Sequence, residues 1–188
     1  ACNWGADGVH EWIRQTGAQL FRSTGDIQDN WASIERLTRS QLGKECYGGP
    51  FCHNDMDMLV VGMHGHSDNS WIAEVVGGCN TTEYKTHFAL WAIMNSPLMI
   101  GCDIRSMDEA TKSILMNREV LKINQDPKGC SPFFANSYNY VPNSSRKSET
   151  EPHFISYPLD VPIIAKYLDN GDIALGMFNL TDSTQNRW

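Results

Sequence analysis

Gln19-Leu-Phe-Arg22-Ser-Thr-Gly-Asp26-Ile-Gln-Asp-Asn-Trp31 reads as a strand that runs into an acidic loop and then into a helix. Gln19 to Ser23 has the apolar content of a short strand, and the Gly25 region breaks it. Asp29 can cap a helix from Asn30 to about Gln41, because Trp31, Ile34 and Leu37 recur at helical spacing. Asp26 therefore falls at a strand end, four residues after Arg22 and just ahead of a helix. That placement makes Asp26 a candidate general acid, although the pattern alone suits a turn residue equally well.

The same order recurs on both sides. Upstream, Val9, Trp12 and Ile13 predict a short helix over Asp7 to Gln15, stopped at Gly17. Downstream of the breaker run Gly48-Gly49-Pro50, Phe51 to Val61 predicts a strand carrying Asp55 and Asp57, followed by a loop from Gly62 to Gly78. Asn80-Thr-Thr-Glu83 has capping-box spacing and predicts a helix through Tyr84, Phe88, Leu90, Trp91 and Met94, ending before Pro97. The apolar run Leu98 to Gly101 meets Cys102-Asp103, and Ser106-Met-Asp-Glu109 repeats the capping-box spacing. Strand and helix thus alternate at least three times, with Asp26, Asp57 and Asp103 near the transitions. That is α/β order with a parallel sheet, and in α/β barrels the chemistry sits in the loops after the strands.

Beyond Cys130 the texture changes. Ser131 to Pro152 is rich in Ser, Asn, Tyr and Pro and reads as a linker or long loops. Ile163 to Leu168 and Ile173 to Phe178, joined by Asp169-Asn-Gly-Asp172, predict a β-hairpin.

A chain of 188 residues with 41% hydrophobic content can bury a domain-sized core. Its net charge of -7, without a Lys/Arg cluster, argues against a nucleic-acid or anionic-membrane partner. No apolar run approaches the roughly 20 residues of a membrane helix. The six cysteines lack CxxC spacing, and only Cys46 and Cys52 are close enough to invite a local disulfide. His53, Asp55, Asp57, His64 and His66 are ligand types without metal-site spacing, so neither a metal nor a cofactor is expected. Asp55 and Asp57, two apart, would share one face of an extended strand. Asp55 reads better as a structural carboxylate bonded to nearby backbone N–H groups. The chain opens Ala-Cys-Asn-Trp rather than with Met, which reads as a start cut from a longer protein and leaves a secreted or cytoplasmic location open.

Taken together, Cys2-Asn-Trp-Gly5, Arg22-Ser-Thr-Gly-Asp-Ile27, Asn54-Asp-Met-Asp-Met-Leu59, His87 to Arg105 and Ile123-Asn-Gln-Asp126 resemble the α-galactosidases of glycoside hydrolase family 27. Tyr167 to Asn179 is similar to that family's carboxy-terminal β domain. The resemblance implies the second half, strands five to eight, of a (β/α)8 TIM barrel over residues 1–130. Residues 131–188 would then be a linker and the first strands of an incomplete antiparallel β-sandwich domain. It also implies hydrolysis of terminal α-linked galactose with retention of configuration. Asp26 then matches the general acid/base, which must give a proton in one step and take one in the next. Arg22, Asp57 and Met58 match residues that hold the sugar or the catalytic acid. Cys2, Asn3 and Trp4 match the end of strand five, where the pocket meets the substituent at sugar C2. Asn3 stands where many of these enzymes have Glu, so the C2 preference stays open.

The family's nucleophile would lie upstream of Ala1, so the expected partners are a galactoside and the amino-terminal half of the barrel. The isolated chain is then expected to be inactive. Related members act on N-acetylgalactosamine or β-L-arabinopyranose, and a non-catalytic sugar-binding module is the reading from another class.

Overall fold

The computed structural model describes residues 8–41, 43–44, 47–66, 78–135 and 160–184. The short helix α1 (Val9–Trp12) continues as one 3-10 turn, Ile13–Thr16, and ends on Gly17 at φ 82. The strand β1 (Leu20–Arg22) follows, then the helix α2 (Trp31–Ser40), the strand β2 (His53–Asp55) and the helix α3 (Thr81–Ile93).

β1 and β2 pair in parallel, with Arg22 opposite Asp55. Beyond β2 and a left-handed residue at Asp57, Leu59 bridges Ile100, again in parallel. Leu59 donates its N–H to Met99 O at 2.7 Å, and its carbonyl accepts Gly101 N–H at 2.9 Å. Three parallel segments therefore lie side by side in chain order, with α2 and α3 as the crossovers between them. That is the βαβ order expected of an arc of α/β barrel.

The predicted helices form, with two shifts in capping. Asn30, not Asp29, caps α2 by accepting Ser33 N–H at 2.8 Å, because the Asp29 side chain is engaged elsewhere. The capping box Asn80–Glu83 is complete at α3. At the helix α4 (Glu109–Leu115) the expected box from Ser106 gives way to Asp108, whose Oδ1 accepts Thr111 N–H at 2.6 Å. A carboxylate at a helix start gains from the macrodipole where a hydroxyl does not. A further helix, α5 (Arg118–Asn124), capped by Asn117, was not read from the sequence.

α3 is the centre of the core. Tyr84, Phe88, Leu90, Trp91 and Ile93 are all buried, and Trp91 is fully so. They share one cluster with Ile27, Ile34 and Leu37 on one side and with Ile164, Phe178 and Leu180 on the other. Under β1 and β2, Asn54 Nδ2 donates to Gln41 Oε1 at 2.6 Å, and Ser23 Oγ lies 2.8 Å from the same oxygen. This polar knot pins the end of α2 to the strands.

The hairpin forms as expected: the strands β4 (Ile163–Tyr167) and β5 (Ile173–Met177) pair antiparallel. The stretch expected to be linker also contributes a strand, β3 (Phe133–Phe134), antiparallel to β4. The small sheet is docked on the helices by Lys166, which has no exposed surface. Its Nζ donates to Asn95 Oδ1 at 2.9 Å and to Ile123 O at 2.6 Å, near the end of α5. Asn95 itself sits just past α3 at φ 61, a left-handed position that Asn tolerates better than most side chains. Burial pushes the Lys166 ammonium below its usual range, and the charge of Asp126 opposes that shift.

Cys52 is a buried free thiol, and Cys46, the expected local partner, lies outside the described residues.

Candidate active site

The parallel pairing of β1 and β2 sets Arg22 and Asp55 side by side, and the chain then delivers Asp26 and Asp57 to the same strand ends. One guanidinium nitrogen of Arg22 holds both: Nη2 donates to Asp26 Oδ1 at 2.8 Å and to Asp57 Oδ2 at 2.5 Å. Charge-assisted bonds of this kind are about twice as strong as neutral ones, so the three side chains form one unit. The two carboxylates differ in setting. The Asp26 side chain is 88% exposed, whereas that of Asp57 is 12% exposed.

Asp57 is fixed from every direction. Its Oδ2 also accepts Ile27 N–H at 2.7 Å, and its Oδ1 accepts Met58 N–H at 2.8 Å. Its own N–H donates to Asp55 Oδ1 at 2.8 Å, and its carbonyl accepts Trp91 Nε1–H at 2.7 Å. These bonds hold a backbone at φ 84, which for a non-glycine residue costs on the order of 1–3 kcal/mol. The left-handed residue interrupts the extended run that would have put Asp55 and Asp57 on one face. Asp55 is the structural carboxylate: burial pushes it above the usual carboxylate range, the bond from Asp57 N–H opposes that, and the Asp57 charge adds to the rise. Met58 is 38% exposed beside these groups, against Gly101, where a Cβ would come within 3.0 Å of its Sδ.

The structure thus brings together Arg22, Asp26, Asp57 and Met58. Cys2, Asn3 and Trp4 lie outside the described residues. Asp103 stands apart in a surface fork with Arg105, whose Nε and Nη2 donate to it at 2.9 and 2.8 Å. That fork holds the Asp103 carboxyl down to about 2. Among the described residues, no three His, Cys, Asp or Glu side chains form a metal-binding group. Sequence reasoning missed Trp91, which it placed in the core without seeing that a buried indole N–H requires an acceptor.

Chemically, the arrangement offers one solvent-facing carboxylate able to exchange a proton beside one immobilised carboxylate able to accept sugar hydroxyls. Asp57 is poorly placed as a nucleophile, since both of its oxygens are already occupied by donors.

Residues 6–126 match the family model described as alpha galactosidase A. An α-galactosidase of Cyamopsis tetragonoloba is 40% identical over 128 residues, which is 68% of this chain and 28% of that protein. The chain thus spans little more than a quarter of that relative. A candidate α-galactosidase/melibiase of Bacteroides fragilis superposes with a TM-score of 0.74 at 31% identity, covering 92% of this chain and 33% of that one. A β-L-arabinopyranosidase of family 27 from Geobacillus stearothermophilus superposes with a TM-score of 0.63 at 25% identity, covering 86% of this chain and 32% of that one. With its motifs in order along parallel strands and a family match over residues 6–126, the chain belongs to the α-galactosidase (melibiase) family, glycoside hydrolase family 27.

Proposed function

We propose that this chain contributes the proton-transfer half of the active site of a retaining glycosidase that releases terminal α-linked galactose. The observation that carries the reading is the Arg22 guanidinium shared between exposed Asp26 and immobilised Asp57 at the strand ends. Asp26 protonates the leaving oxygen and then takes a proton from water. A second carboxylate, about 5 Å away, attacks the anomeric carbon. In this reading it comes from the other half of the barrel, as the complement to strands five to eight in residues 1–130. Asp57, Met58, Cys2, Asn3 and Trp4 hold the sugar, and residues 131–188 open the β domain.

Retention is tested by following the anomer first released by the complete barrel protein with proton NMR. α-Galactose appearing before mutarotation supports the reading, and β-galactose overturns it. The 188-residue chain alone is expected to show no turnover, because it would lack the nucleophile and expose unpaired strand edges.

The arabinopyranosidase neighbour favours one second reading, since that sugar differs from galactose only in lacking the exocyclic CH2OH group. Rates of the complete protein on nitrophenyl α-galactoside, α-N-acetylgalactosaminide and β-L-arabinopyranoside decide among the three. Galactose binding that persists in Asp26→Asn, with no hydrolysis by the parent on any of them, would favour a sugar-binding module instead.

A further inference from the structure

Three residues beyond Asp26, the Asp29 carboxylate gathers donors from separate stretches of chain while only 5% exposed. The Tyr84 hydroxyl lies 2.9 Å from its Oδ1 and 2.8 Å from its Oδ2. Gly65 N–H donates to Oδ2 at 2.7 Å, and Cys79 N–H donates to Oδ1 at 3.3 Å. The Tyr84 oxygen in turn accepts His64 N–H at 2.9 Å. Packing around the carboxylate is closed: a Cβ at Gly78, itself at φ 61, would fall 2.5 Å from Asp29 Oδ2 and 2.6 Å from Gly65 N.

All of these donors are neutral, and among the described residues Asp29 has no ion-pair partner. Burying a carboxylate on dipoles alone is a costly way to fill space, and an apolar side chain would do it at lower cost. What the carboxylate supplies is direction. It ties the segment ahead of α2 to the turn after the second parallel segment and to the start of α3.

That segment is the one that carries Asp26. Among the described residues the Asp26 side chain bonds only to Arg22, and being 88% exposed it cannot set its own position by packing. The anchors on its far side are Ile27 N–H, bonded to Asp57 Oδ2 at 2.7 Å, Gln28 N–H, bonded to Ser33 Oγ at 2.9 Å, and the Asp29 carboxylate, which ties the segment to Gly65 and Tyr84. Proton transfer to a leaving oxygen depends steeply on such placement, since a misplacement of about 1 Å can cost about a hundredfold in rate.

We propose that Asp29, clamped by Tyr84, is a positioning residue for proton transfer: it fixes the segment following Asp26 so that this carboxylate meets the leaving oxygen. The proposal rests on the reading of Asp26 as the general acid/base. Tyr84 belongs to the same device, because its hydroxyl bridges the carboxylate and the His64 backbone.

The test uses the complete barrel protein and two α-galactosides, methyl as a poor leaving group that needs the acid and nitrophenyl as a good one that needs it little. Asp29→Asn, Tyr84→Phe and Asp26→Ala are compared with the parent by kcat/KM on both substrates. The expected result is that all three variants lose more on the methyl glycoside than on the nitrophenyl one. The excess loss should be about tenfold or more for the two positioning variants and larger for Asp26→Ala. Tyr84→Phe keeps the ring in the core, so it carries the test should Asp29→Asn fail to fold. Equal losses on the two substrates, or none, in a folded Tyr84→Phe would overturn the positioning role while Asp26→Ala still shows the bias. Absence of the bias in Asp26→Ala itself would overturn the acid/base reading, and this inference with it.

Discussion

Arg22 and Lys166 are two cations with separate sets of partners, and they are held in opposite ways. Arg22, with its side chain 21% exposed, faces two carboxylates, one of them open to solvent. Lys166 is fully buried and donates to the neutral oxygens of Asn95, Ile123 and Asn124. At the strand ends, the Asp26 carboxylate stays open to solvent, which in the proposed function leaves it free to exchange a proton. At the seam between α3, α5 and the small sheet, the Lys166 ammonium is spent on assembly. In the proposed reading the same residue class serves chemistry in one place and cohesion in the other, and the difference lies in whether its partners are exposed.

The comparison can be broken most severely at Asp26. In the complete protein, Asp26→Ala is expected to lower kcat/KM on methyl α-galactoside by about 10²–10⁴ while the circular dichroism stays that of the parent. A loss of structure in place of activity would put Asp26 in the same class as Lys166. Next in size, Lys166→Met is expected to cost about 2–4 kcal/mol in denaturant unfolding, because Asn95 Oδ1 and the α5 carbonyls lose their donor inside the protein. Its leaving-group preference in hydrolysis should be unchanged.

His87 sharpens the buried side of the comparison. It is fully buried, accepts Val60 N–H on Nε2 at 3.1 Å, and leaves Nδ1 without a partner among the described residues. Burial holds its imidazole down to about 3, from an ordinary 6.5. The folded state therefore binds fewer protons than the unfolded one between those values, so stability falls as pH falls through that window. The slope is about 1.4 kcal/mol per pH unit, or about 2 kcal/mol between pH 6.5 and 5. His87→Gln, which keeps a neutral acceptor, should flatten this part of a melting-temperature profile. The smallest effect belongs to Arg105→Ala: its fork with Asp103 is exposed, and neither melting temperature nor kinetics should change measurably.

What was legible in the sequence was what is local. The Asn80–Glu83 box, the Asn-Gly turn and the strand–loop–helix order around Asp26 each depend on residues within a few positions, and each formed. Distant partners were invisible. Asp29 looked like a helix cap because its real partner, Tyr84, is 55 residues away. Trp91 looked like plain core because its acceptor is a backbone carbonyl held in a left-handed turn. Spacing also misled where two short polar residues competed, as at Ser106 and Asp108. The roles of Arg22, Asp26, Asp57 and Met58 came from the family resemblance, and the structure adds that they meet. No pattern could have shown that one guanidinium nitrogen holds both acids.

Whether Asp26 is the acid/base of a retaining pair is decided by azide rescue. Asp26→Gly in the complete protein is assayed on nitrophenyl α-galactoside with and without azide, and the product anomer is read by NMR. A small anion entering the vacated space meets the galactosyl-enzyme on the face that water would use. With Asp26 as the acid/base, azide is expected to restore turnover and yield α-galactosyl azide. β-Galactosyl azide would show that Asp26 is itself the nucleophile, and no rescue at all in a folded, sugar-binding variant would deny it either role.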